Sequence, residues 1–576
     1  MNKPLVYYCI SLCLGCVSAL IIMNNRLLGA AFTASFFIFF FITMDRKFMI
    51  FTLIFFVFGI FGYFNYFNVR VSNKCEVRIT EKDKYYYKGE WEGRNINITG
   101  KLKGVKEGDR IYTHCEFKKR PVYGMGIIGD LKVDTYKLKN KDLISRFTEI
   151  KEKVYKKFKS ELGEEKSAIV MALCFGETKY INNNQKDMMK KFGIIHVFSV
   201  SGLHVGIVYG ILQKILGSFL ALPMCFIYIM FTGIKPSCLR AFVMIIVLKL
   251  SKICFKEYDS VSALSLAAII ILLIKPYYIL NAGFILSFLS TLGIILYYKK
   301  IQRVFYKIPK ILNESLSLTL SSQVYSFPYI CFSIKKFGLG FILGNLILVP
   351  IYGIIVLIGN LSLVLIKISF VFSILSKFIY FILTIVEGIN LILDNILPEI
   401  IEVSYFEGIS FILVYISYKL YKGGYKKIKY FPMYVFIIFF VINYNVFPKI
   451  NLYKDKGVSC ISVKYKGKCT MICNYDLELG KEVLKLKEIN KPTKVITNPS
   501  FEKTINLNKD FKIKVFNKNK YNVNSVLYYK NYRIPISYEK YFKRPLKSKK
   551  TSNIDDKTYF QSKYVLILGK FYNSNF

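Results

Sequence analysis

Long apolar stretches alternate with polar blocks along the chain, and this alternation predicts its organisation. Near the start, residues 5–24, 27–44 and 48–66 are mostly apolar, and each has about the 20 residues that an α-helix needs to cross a bilayer. Residues 166–449 are a run of apolar segments broken by Gly, Pro and short polar turns, which predicts about seven to ten further spans. This pattern is typical of a mainly α-helical, polytopic transmembrane protein.

Basic residues predict the orientation of the first three helices. Lys3 precedes the first helix, and Arg46 and Lys47 lie between the second and the third. Because the cytoplasmic flanks of membrane spans collect Lys and Arg, both sites are expected in the cytoplasm and the third helix is expected to lead outward. Residues 1–68 would then form a helical N-terminal segment, and the polar block 69–140 would be extracellular.

Short runs of alternating residues, punctuated by glycines, predict a β domain in the block 69–140. Five strands are expected, at residues 77–80, 95–102, 110–117, 124–129 and 131–138. Five short strands suit a small barrel of the OB type, although many small β domains share this pattern.

Aromatic and basic residues are mixed near the start of this β domain. An OB surface can bind single strands by stacking bases on aromatic rings beside basic side chains. The candidates for such contacts are Tyr86, Lys88, Trp91 and Arg94. Ordinary strand aromatics would produce the same pattern, so the sequence leaves both interpretations open.

Two further segments complete the predicted organisation. Residues 141–165 are basic and amphipathic at helical spacing, which predicts a helix that lies along the membrane surface or links two domains. Residues 450–576 are polar, rich in Lys and Tyr and strand-like, which predicts a C-terminal β-rich region. The predicted domains are therefore 1–68, 69–140, 141–165, 166–449 and 450–576.

Composition agrees with a membrane protein and adds a large positive charge. Hydrophobic residues make up 53% of the chain, yet 82 Lys and Arg against 37 Asp and Glu give a formal net charge of +45. Cytoplasmic loops and contacts with anionic membrane lipid explain part of this excess. The charge indicates a nucleic acid or a lipid partner and does not distinguish between them.

Most of the 13 cysteines fall inside apolar stretches, where a small packing role is the ordinary explanation. Cys75 and Cys115 instead lie in the polar block 69–140. If this block is extracellular, a disulfide between them is the natural hypothesis.

The segment 193–206 places polar residues inside an apolar region. Its sequence is Gly-Ile-Ile-His-Val-Phe-Ser-Val-Ser-Gly-Leu-His-Val-Gly, and polar groups within a membrane are costly unless they line a cavity or find partners. Its candidate path residues are His196, Ser199, Ser201, Gly202 and His204. The alternative is that the two histidines only hydrogen-bond neighbouring helices. A metal site is not expected, because no carboxylate or cysteine lies at ligand spacing from His196 or His204 and the chain has only one other histidine, His114. No cofactor is expected either.

These residues carry a family resemblance. The segment 193–206 resembles the signature of the ComEC-type competence DNA-uptake channel family, a His followed by a Ser-Gly-Leu-His block. Four more stretches match that family in the same order: Ala-Leu-Cys-Phe-Gly-Glu at 172–177, Pro-Ser-Cys-Leu-Arg-Ala at 236–241, Gly-Phe-Ile-Leu-Ser-Phe at 283–288 and Gly-Asn-Leu-Ile-Leu-Val-Pro at 344–350.

The resemblance covers about residues 1–450, and it implies a helical channel that passes one DNA strand across the cytoplasmic membrane. It also implies two partners, an extracellular DNA receptor and a cytosolic ATPase. Arg240, Gln323 and Asn345 are expected to support the path. Arg240 is a cation that a phosphate or a carboxylate could neutralise, or one that extends to the lipid headgroups.

The C-terminal region departs from the family. Many members end in a metallo-β-lactamase-like domain whose metals need a His-x-His-x-Asp-His cluster, and this chain has no histidine after His204. Residues 457–464 resemble the opening strand of that domain, but 450–576 is too short for the complete fold. We therefore expect a degenerate region, and a chain that is not an enzyme.

Two alternatives remain open at the level of sequence. The polar cluster could form a closed site in a transporter of a small anion or a lipid-linked substrate. A membrane-bound hydrolase would need a nucleophile, a base and an orienting group, and no carboxylate near Ser199 or Ser201 completes such a set. The sequence does not decide whether the chain forms a homo-oligomer.

Overall fold

The computed structural model describes residues 3–444, apart from 44–45, 83–85, 101, 103, 199, 399 and 404, and ten strands beyond residue 448. The chain divides into two units, Met1–Gly408 and Ile409–Phe576. The first unit holds a helical region and a closed β-barrel, and the second continues into β-sheets. The expected fold class, a mainly helical membrane protein with a small barrel and a β-rich C-terminal region, is confirmed.

Three apolar helices open the first unit, as predicted. They are α1 (Pro4–Asn24), α2 (Arg26–Thr43) and α3 (Arg46–Phe67). Helices α1 and α3 approach closely at two glycines, since a Cβ on Gly15 would lie 2.2 Å from the Phe56 carbonyl oxygen and one on Gly59 would lie 2.4 Å from that of Leu12. Small residues at a helix crossing let two backbones pack tightly in a membrane.

The β domain is a closed five-stranded barrel with the order β1-β2-β3-β5-β4. Its strands are β1 (Lys74–Lys82), β2 (Tyr87–Trp91), β3 (Arg94–Thr99), β4 (Arg110–Lys118) and β5 (Ile127–Leu138). Strands β3 and β5 run parallel, and β4 closes on β1, so the barrel is of the OB type. The sequence analysis missed β2 and divided β5 into two strands.

One end of the barrel rests on the helical region. The Tyr66 hydroxyl, near the end of α3, donates to the Gly126 carbonyl at 2.9 Å, and Arg94 Nε donates to the Tyr66 carbonyl at 3.1 Å. Asn95 Nδ2 donates to the Tyr277 hydroxyl at 3.2 Å, in the short 3-10 helix Pro276–Leu280. These contacts fix the barrel against the ends of several helices.

The other end of the barrel meets the amphipathic helix α4 (Leu143–Leu162). Asp142 caps this helix by accepting from the Ser145 N–H at 3.0 Å, and it also pairs with Arg78 of β1. Burial by itself would raise the pKa of Asp142, but the hydrogen bonds from Ser145 and Arg78 outweigh it and lower this pKa to about 2. Val154 and Phe158 on the opposite face are buried in the helical core, so α4 ties the barrel to that core.

The remaining helices of the first unit follow one another with short connections. They are α5 (Glu164–Phe175), α6 (Asn183–Lys191), α7 (Gly202–Thr232), α8 (Pro236–Ile253), α9 (Ser260–Ile274), α10 (Ala282–Val304), α11 (Lys310–Tyr329), α12 (Phe341–Leu343), α13 (Val349–Val364) and α14 (Ser369–Ile396). A two-stranded ribbon, β6 (Lys336–Phe337) with β7 (Ile401–Glu402), joins two of the loops.

Six helical segments in the described part of the chain are long and apolar enough to cross a membrane. They are Pro4–Asn24, Phe48–Phe67, Gly202–Thr232, Ala282–Val304, Phe341–Val364 and Ser369–Ile396. Four of the six fall within residues 166–449, where the sequence predicted a larger number of spans. The exact number of crossings stays a prediction.

The second unit begins inside α15 (Tyr405–Lys422) and contains α16 (Phe431–Tyr444). Its strands are β8 (Lys449–Asp455), β9 (Val458–Tyr465), β10 (Lys468–Cys473), β11 (Lys494–Thr497), β12 (Lys503–Asn508), β13 (Phe511–Asn519), β14 (Asn522–Tyr529), β15 (Tyr532–Ile536), β16 (Phe560–Ile567) and β17 (Lys570–Asn573). They form a six-stranded sheet, β11-β10-β9-β8-β16-β17, and a four-stranded sheet, β12 to β15. The relation of this region to a metallo-β-lactamase-like domain stays a prediction.

Candidate substrate path

Residues 193–198 and 200–201 form a loop, and helix α7 begins only at Gly202. A single 3-10 turn, Ile195–Val197, interrupts the loop. Gly193 has φ +67°, a conformation that side chains with a Cβ rarely adopt. The polar residues of this segment therefore lie in a loop that precedes a helix N-terminus. They do not line one face of a continuous helix.

Ser201 and His204 build the start of α7 through a capping box. Ser201 Oγ accepts from the Leu203 N–H at 3.3 Å, and His204 Nδ1 accepts from the Ser201 N–H at 3.1 Å. Because Nδ1 is an acceptor in this bond, the proton of the neutral ring resides on Nε2. His204 is 1% exposed, and its Nε2 has no hydrogen-bond partner among the described residues. His204 thus presents a buried, unsatisfied donor.

Helix α8 lies directly against this loop. Ser237 Oγ donates to the Val200 carbonyl at 3.1 Å, and Cys238 Sγ donates to the same oxygen at 3.3 Å. A Cβ on Gly202 would lie 2.7 Å from Arg240 Nη2. The Arg240 guanidinium therefore occupies the space that a larger residue at position 202 would need.

Arg240 also connects this loop to α10. Its Nη1 donates to the Ser287 carbonyl and to Thr291 Oγ1. Its Nε is buried and has no partner within the described part of the chain, and no ion pair with a carboxylate neutralises it there. Arg240 is a cation in contact with neutral groups only, which is costly away from water unless an anion joins it.

The first and last of the five sequence motifs pack against the same loop. Gly176 has φ +72°, and a Cβ there would lie 3.0 Å from Val200 Cγ2. A Cβ on Gly344 would lie 3.0 Å from Ile194 Cγ2. All five motifs, distant in sequence, therefore meet at the 193–206 segment or at Arg240 beside it.

Helix α7 folds back on itself at Gly217. That residue has φ 75° and ψ 168°, which is not helical, in the middle of a 31-residue segment. A straight helix of this length would be about 46 Å long, yet Val200 Cγ2 and the Thr232 carbonyl both lie near the Cβ position of Gly176, at 3.0 and 3.1 Å. The two ends of α7 are therefore neighbours, and its halves form a hairpin.

The hairpin is too short to cross a bilayer twice as two ordinary spans. Each half has about 15 residues and is about 22 Å long, whereas the hydrocarbon core is about 30 Å thick. Val205 and Ile229, from opposite halves, share one buried cluster, and Phe219 at the tip is 90% exposed. A re-entrant hairpin with an apolar tip fits these dimensions.

The structure brings Ser201, Gly202, His204 and Arg240 together, and the other candidates make separate contacts. His196 is exposed and its Nδ1 donates to the Gly193 carbonyl at 3.2 Å. Gln323 in α11 accepts from Ser326 at 3.2 Å, and the buried Oδ1 of Asn345 has no partner in the described residues. Ser199 lies outside the described residues.

The sequence analysis missed several residues of this site. Ser237 and Cys238 lie within a recognised motif, but only the fold shows that they bind the Val200 carbonyl. Ser287 and Thr291 are four residues apart on α10, a spacing that places both on one helix face and that the sequence could have indicated. In the searched part of the chain, no three His, Cys, Asp or Glu residues are placed to hold a metal.

The four DNA-binding candidates on the barrel divide into two pairs. Trp91 is 8% exposed, and the Arg94 guanidinium lies over its ring at 5.7 Å while donating to backbone carbonyls of α3. Tyr86 and Lys88 are half-buried, and Lys88 pairs with Glu81 at 2.6 Å. Trp91 and Arg94 thus have a structural role in docking the barrel, and DNA binding by the barrel stays a prediction.

Cys75 and Cys115 face each other across β1 and β4. Their sulfur atoms are 3.5 Å apart, and both residues are free thiols in this structure. Burial raises the pKa of Cys75 to about 12, so little thiolate is present at neutral pH. The disulfide between them stays a prediction.

Comparison with known proteins supports the family resemblance. A family described as competence protein matches residues 173–421. ComE operon protein 3 of Bacillus subtilis (strain 168) is 30% identical over 212 residues, which cover 35% of this chain and 27% of that protein. An uncharacterized protein of Aquifex aeolicus (strain VF5) is 30% identical over 210 residues, which cover 34% of this chain and 48% of that protein.

No solved structure matches the chain. The matched region spans about a quarter of the Bacillus protein and about half of the Aquifex protein. The family match over residues 173–421 contains the α7 and α8 site. Residues 173–421 of this chain match the competence protein family.

Proposed function

We propose that this chain is a multi-pass membrane protein that takes part in DNA uptake by carrying a single strand across the cytoplasmic membrane. The observation that carries the proposal is the chemistry of the site at α7 and α8. His204 Nε2 and Arg240 Nε are both buried donors without a partner in the described residues. A site that offers donors and a positive charge is suited to an anionic ligand rich in acceptor oxygens.

The position of the site adds to this argument. Helix N-termini carry a partial positive charge and unsatisfied N–H groups, and α7 begins at Gly202, in contact with Arg240. Broken helices with such ends are the usual way in which membrane proteins present polar groups to a substrate. A DNA phosphate has the charge and the acceptors that this arrangement lacks.

The same geometry argues against the hydrolase alternative. Ser201 Oγ is within 3.0 Å of His204 Nδ1, which resembles a nucleophile and its base. However, Nδ1 already accepts the Ser201 N–H, and no carboxylate contacts Nε2 in the described residues. The pair is therefore a helix cap that lacks the orienting group of a catalytic triad, and we propose that the chain is not an enzyme.

The proposal includes partners for the other steps of uptake. An extracellular receptor would deliver DNA to the barrel side, and a cytosolic ATPase would supply the driving force, since the chain contains no Gly-rich nucleotide-binding motif of its own. Strand degradation would belong to another protein if the C-terminal region is degenerate. The receptor and the ATPase are what the resemblance to the competence family implies.

Energised membrane vesicles that contain the full chain provide the test. We expect labelled single strands to become protected from external nuclease with the wild-type chain, and Arg240→Gln to reduce this protection about tenfold or more, because a hydrogen bond to a charged group contributes about 1.5–3 kcal/mol. Arg146→Gln is the matched control, since Arg146 is exposed on α4. Normal protection with Arg240→Gln would contradict the assigned path, and uptake of labelled inorganic phosphate in place of DNA would favour the small-anion transporter.

A further inference from the structure

Lys235 is a second cation at the same site and belongs to none of the recognised motifs. It precedes the first residue of α8 and is partly buried. Its Nζ has one hydrogen bond in the described residues, to the Gly176 carbonyl at 3.4 Å. No carboxylate forms an ion pair with it there.

Other lysines nearby are neutralised. Lys151 pairs with Glu177 at 2.6 Å, and Lys179 pairs with Glu107 of the barrel. Glu177 and Glu107 are thus already engaged by other cations. This contrast makes Lys235 a functional candidate, because a charge held near other cations and partly out of water is unfavourable without an anion.

Lys235 and Arg240 face the same short loop. A Cβ on Gly176 would lie 3.2 Å from Lys235 Nζ and 3.0 Å from Val200 Cγ2, and a Cβ on Gly202 would lie 2.7 Å from Arg240 Nη2. Arg240 is five residues further along the chain, a rise of about 7.5 Å on a helix. The loop residues 200–202 are therefore flanked by two separate cations, Lys235 at the start of α8 and Arg240 further along that helix.

Further donors lie beside the same loop. Helices α7 and α8 both begin beside the loop, and α8 has neither a side-chain cap nor an acidic residue in its first turn. The positive ends of two helix dipoles therefore point to one region. His204, 1% exposed with its Nε2 unsatisfied, adds an independent sign that a ligand completes this site.

We infer that Lys235 and Arg240 hold successive phosphates of one DNA strand. This inference rests on the proposed function and narrows its substrate class. An anion with a single phosphate would satisfy only one of two cations separated along α8. An unpaired strand carries a phosphate at every nucleotide and can neutralise both.

Salt-dependent binding by the purified full chain tests the inference. The probe is a fluorescent oligothymidylate, and its anisotropy is measured in detergent over a series of salt concentrations. Each phosphate contact contributes about 0.7 to the slope of log affinity against log salt for single strands. We expect Lys235→Gln to weaken binding about three- to tenfold at low salt and to reduce the slope by about 0.7, and Lys235→Arg to restore both.

Matched variants separate the outcomes. Lys153→Gln, at an exposed position of α4, should leave affinity and slope unchanged, whereas Arg240→Gln should lower both. If Lys235→Gln equals wild type while Arg240→Gln is impaired, Lys235 makes no phosphate contact and the proposed function stands. A weaker affinity with an unchanged slope would assign Lys235 a structural role and overturn the inference. If the wild-type chain does not bind the probe, the proposed function fails together with the inference.

Discussion

The fold-back of α7 at Gly217 predicts that the same change, glycine to alanine, has opposite effects on stability at two positions of this helix. Gly217 has φ 75° and ψ 168°, a region that is essentially restricted to glycine, and a Cβ there would cost on the order of 1–3 kcal/mol. The cost comes from the backbone alone, because no atom lies within 4 Å of the Cβ position. We therefore expect Gly217→Ala to destabilise the protein.

Gly210 provides the matched control within the same helix. Its backbone is helical, and its Cβ position also has no neighbour within 4 Å. Replacing a helical glycine by alanine stabilises by about 0.5–1 kcal/mol. The two variants add the same methyl group to open space and should change stability in opposite directions.

Thermal unfolding of the full chain in detergent, followed by the helical circular dichroism signal, measures the difference. We expect a lower midpoint for Gly217→Ala and an equal or higher midpoint for Gly210→Ala. If both variants raise the midpoint, α7 is continuous and the hairpin is wrong. A cysteine pair, Val205→Cys with Ile229→Cys, gives a geometric check, because a short cross-linker joins the two only if the halves are neighbours and not about 36 Å apart on one straight helix.

Three further predictions concern the barrel and its junctions. Asp142→Ala should lower the free energy of unfolding by about 1 kcal/mol, because it removes a helix cap. Since the pKa of Asp142 in the folded protein is about 2, the wild type should lose this stabilisation as the pH falls below about 4. Thermal unfolding of the variant should lack that part of the pH dependence. Arg94→Ala should loosen the barrel and increase its proteolysis, whereas Lys88→Ala should leave proteolysis unchanged and weaken binding of single strands; equal proteolysis of the two would contradict the docking role. Under oxidising conditions Cys75 and Cys115 should form a disulfide, and mass spectrometry that finds both thiols free would refute it.

The sequence predicted the large-scale organisation because hydrophobic length and alternation depend on local residue pattern. The three opening helices and the five-stranded barrel follow from such patterns. Strand β2, Tyr87–Trp91, was missed because Gly89 and mixed charges conceal its alternation. Strand β5 was divided at Gly129, which the structure shows inside a continuous strand, where a Cβ would lie 2.4 Å from the Lys118 carbonyl oxygen.

The site was predicted only in part, because its defining contacts are long-range. The Ser-Gly-Leu-His block identified His204 and Gly202, and the Arg240 motif was identified separately. The sequence contains no indication that the Arg240 guanidinium contacts Gly202 or that α7 turns back at Gly217. Lys235 was missed because a lysine before a proline resembles an ordinary loop residue until its neighbours are known. Gln323 was predicted as a path residue on polarity alone, and no hydrogen bond in the described residues joins it to Arg240.

Transformation of cells with labelled DNA tests the central claim most directly, that one strand passes the α7 and α8 site. Cells that contain the wild-type chain, the His204→Ala variant or a chain without residues 450–576 are compared, after each form is confirmed in the membrane. The account predicts that His204→Ala loses most internalised DNA, since it removes a donor to phosphate, and that the deletion retains uptake. Normal uptake by His204→Ala would contradict the assigned path, and loss of uptake only in the deletion would place the function in the C-terminal region.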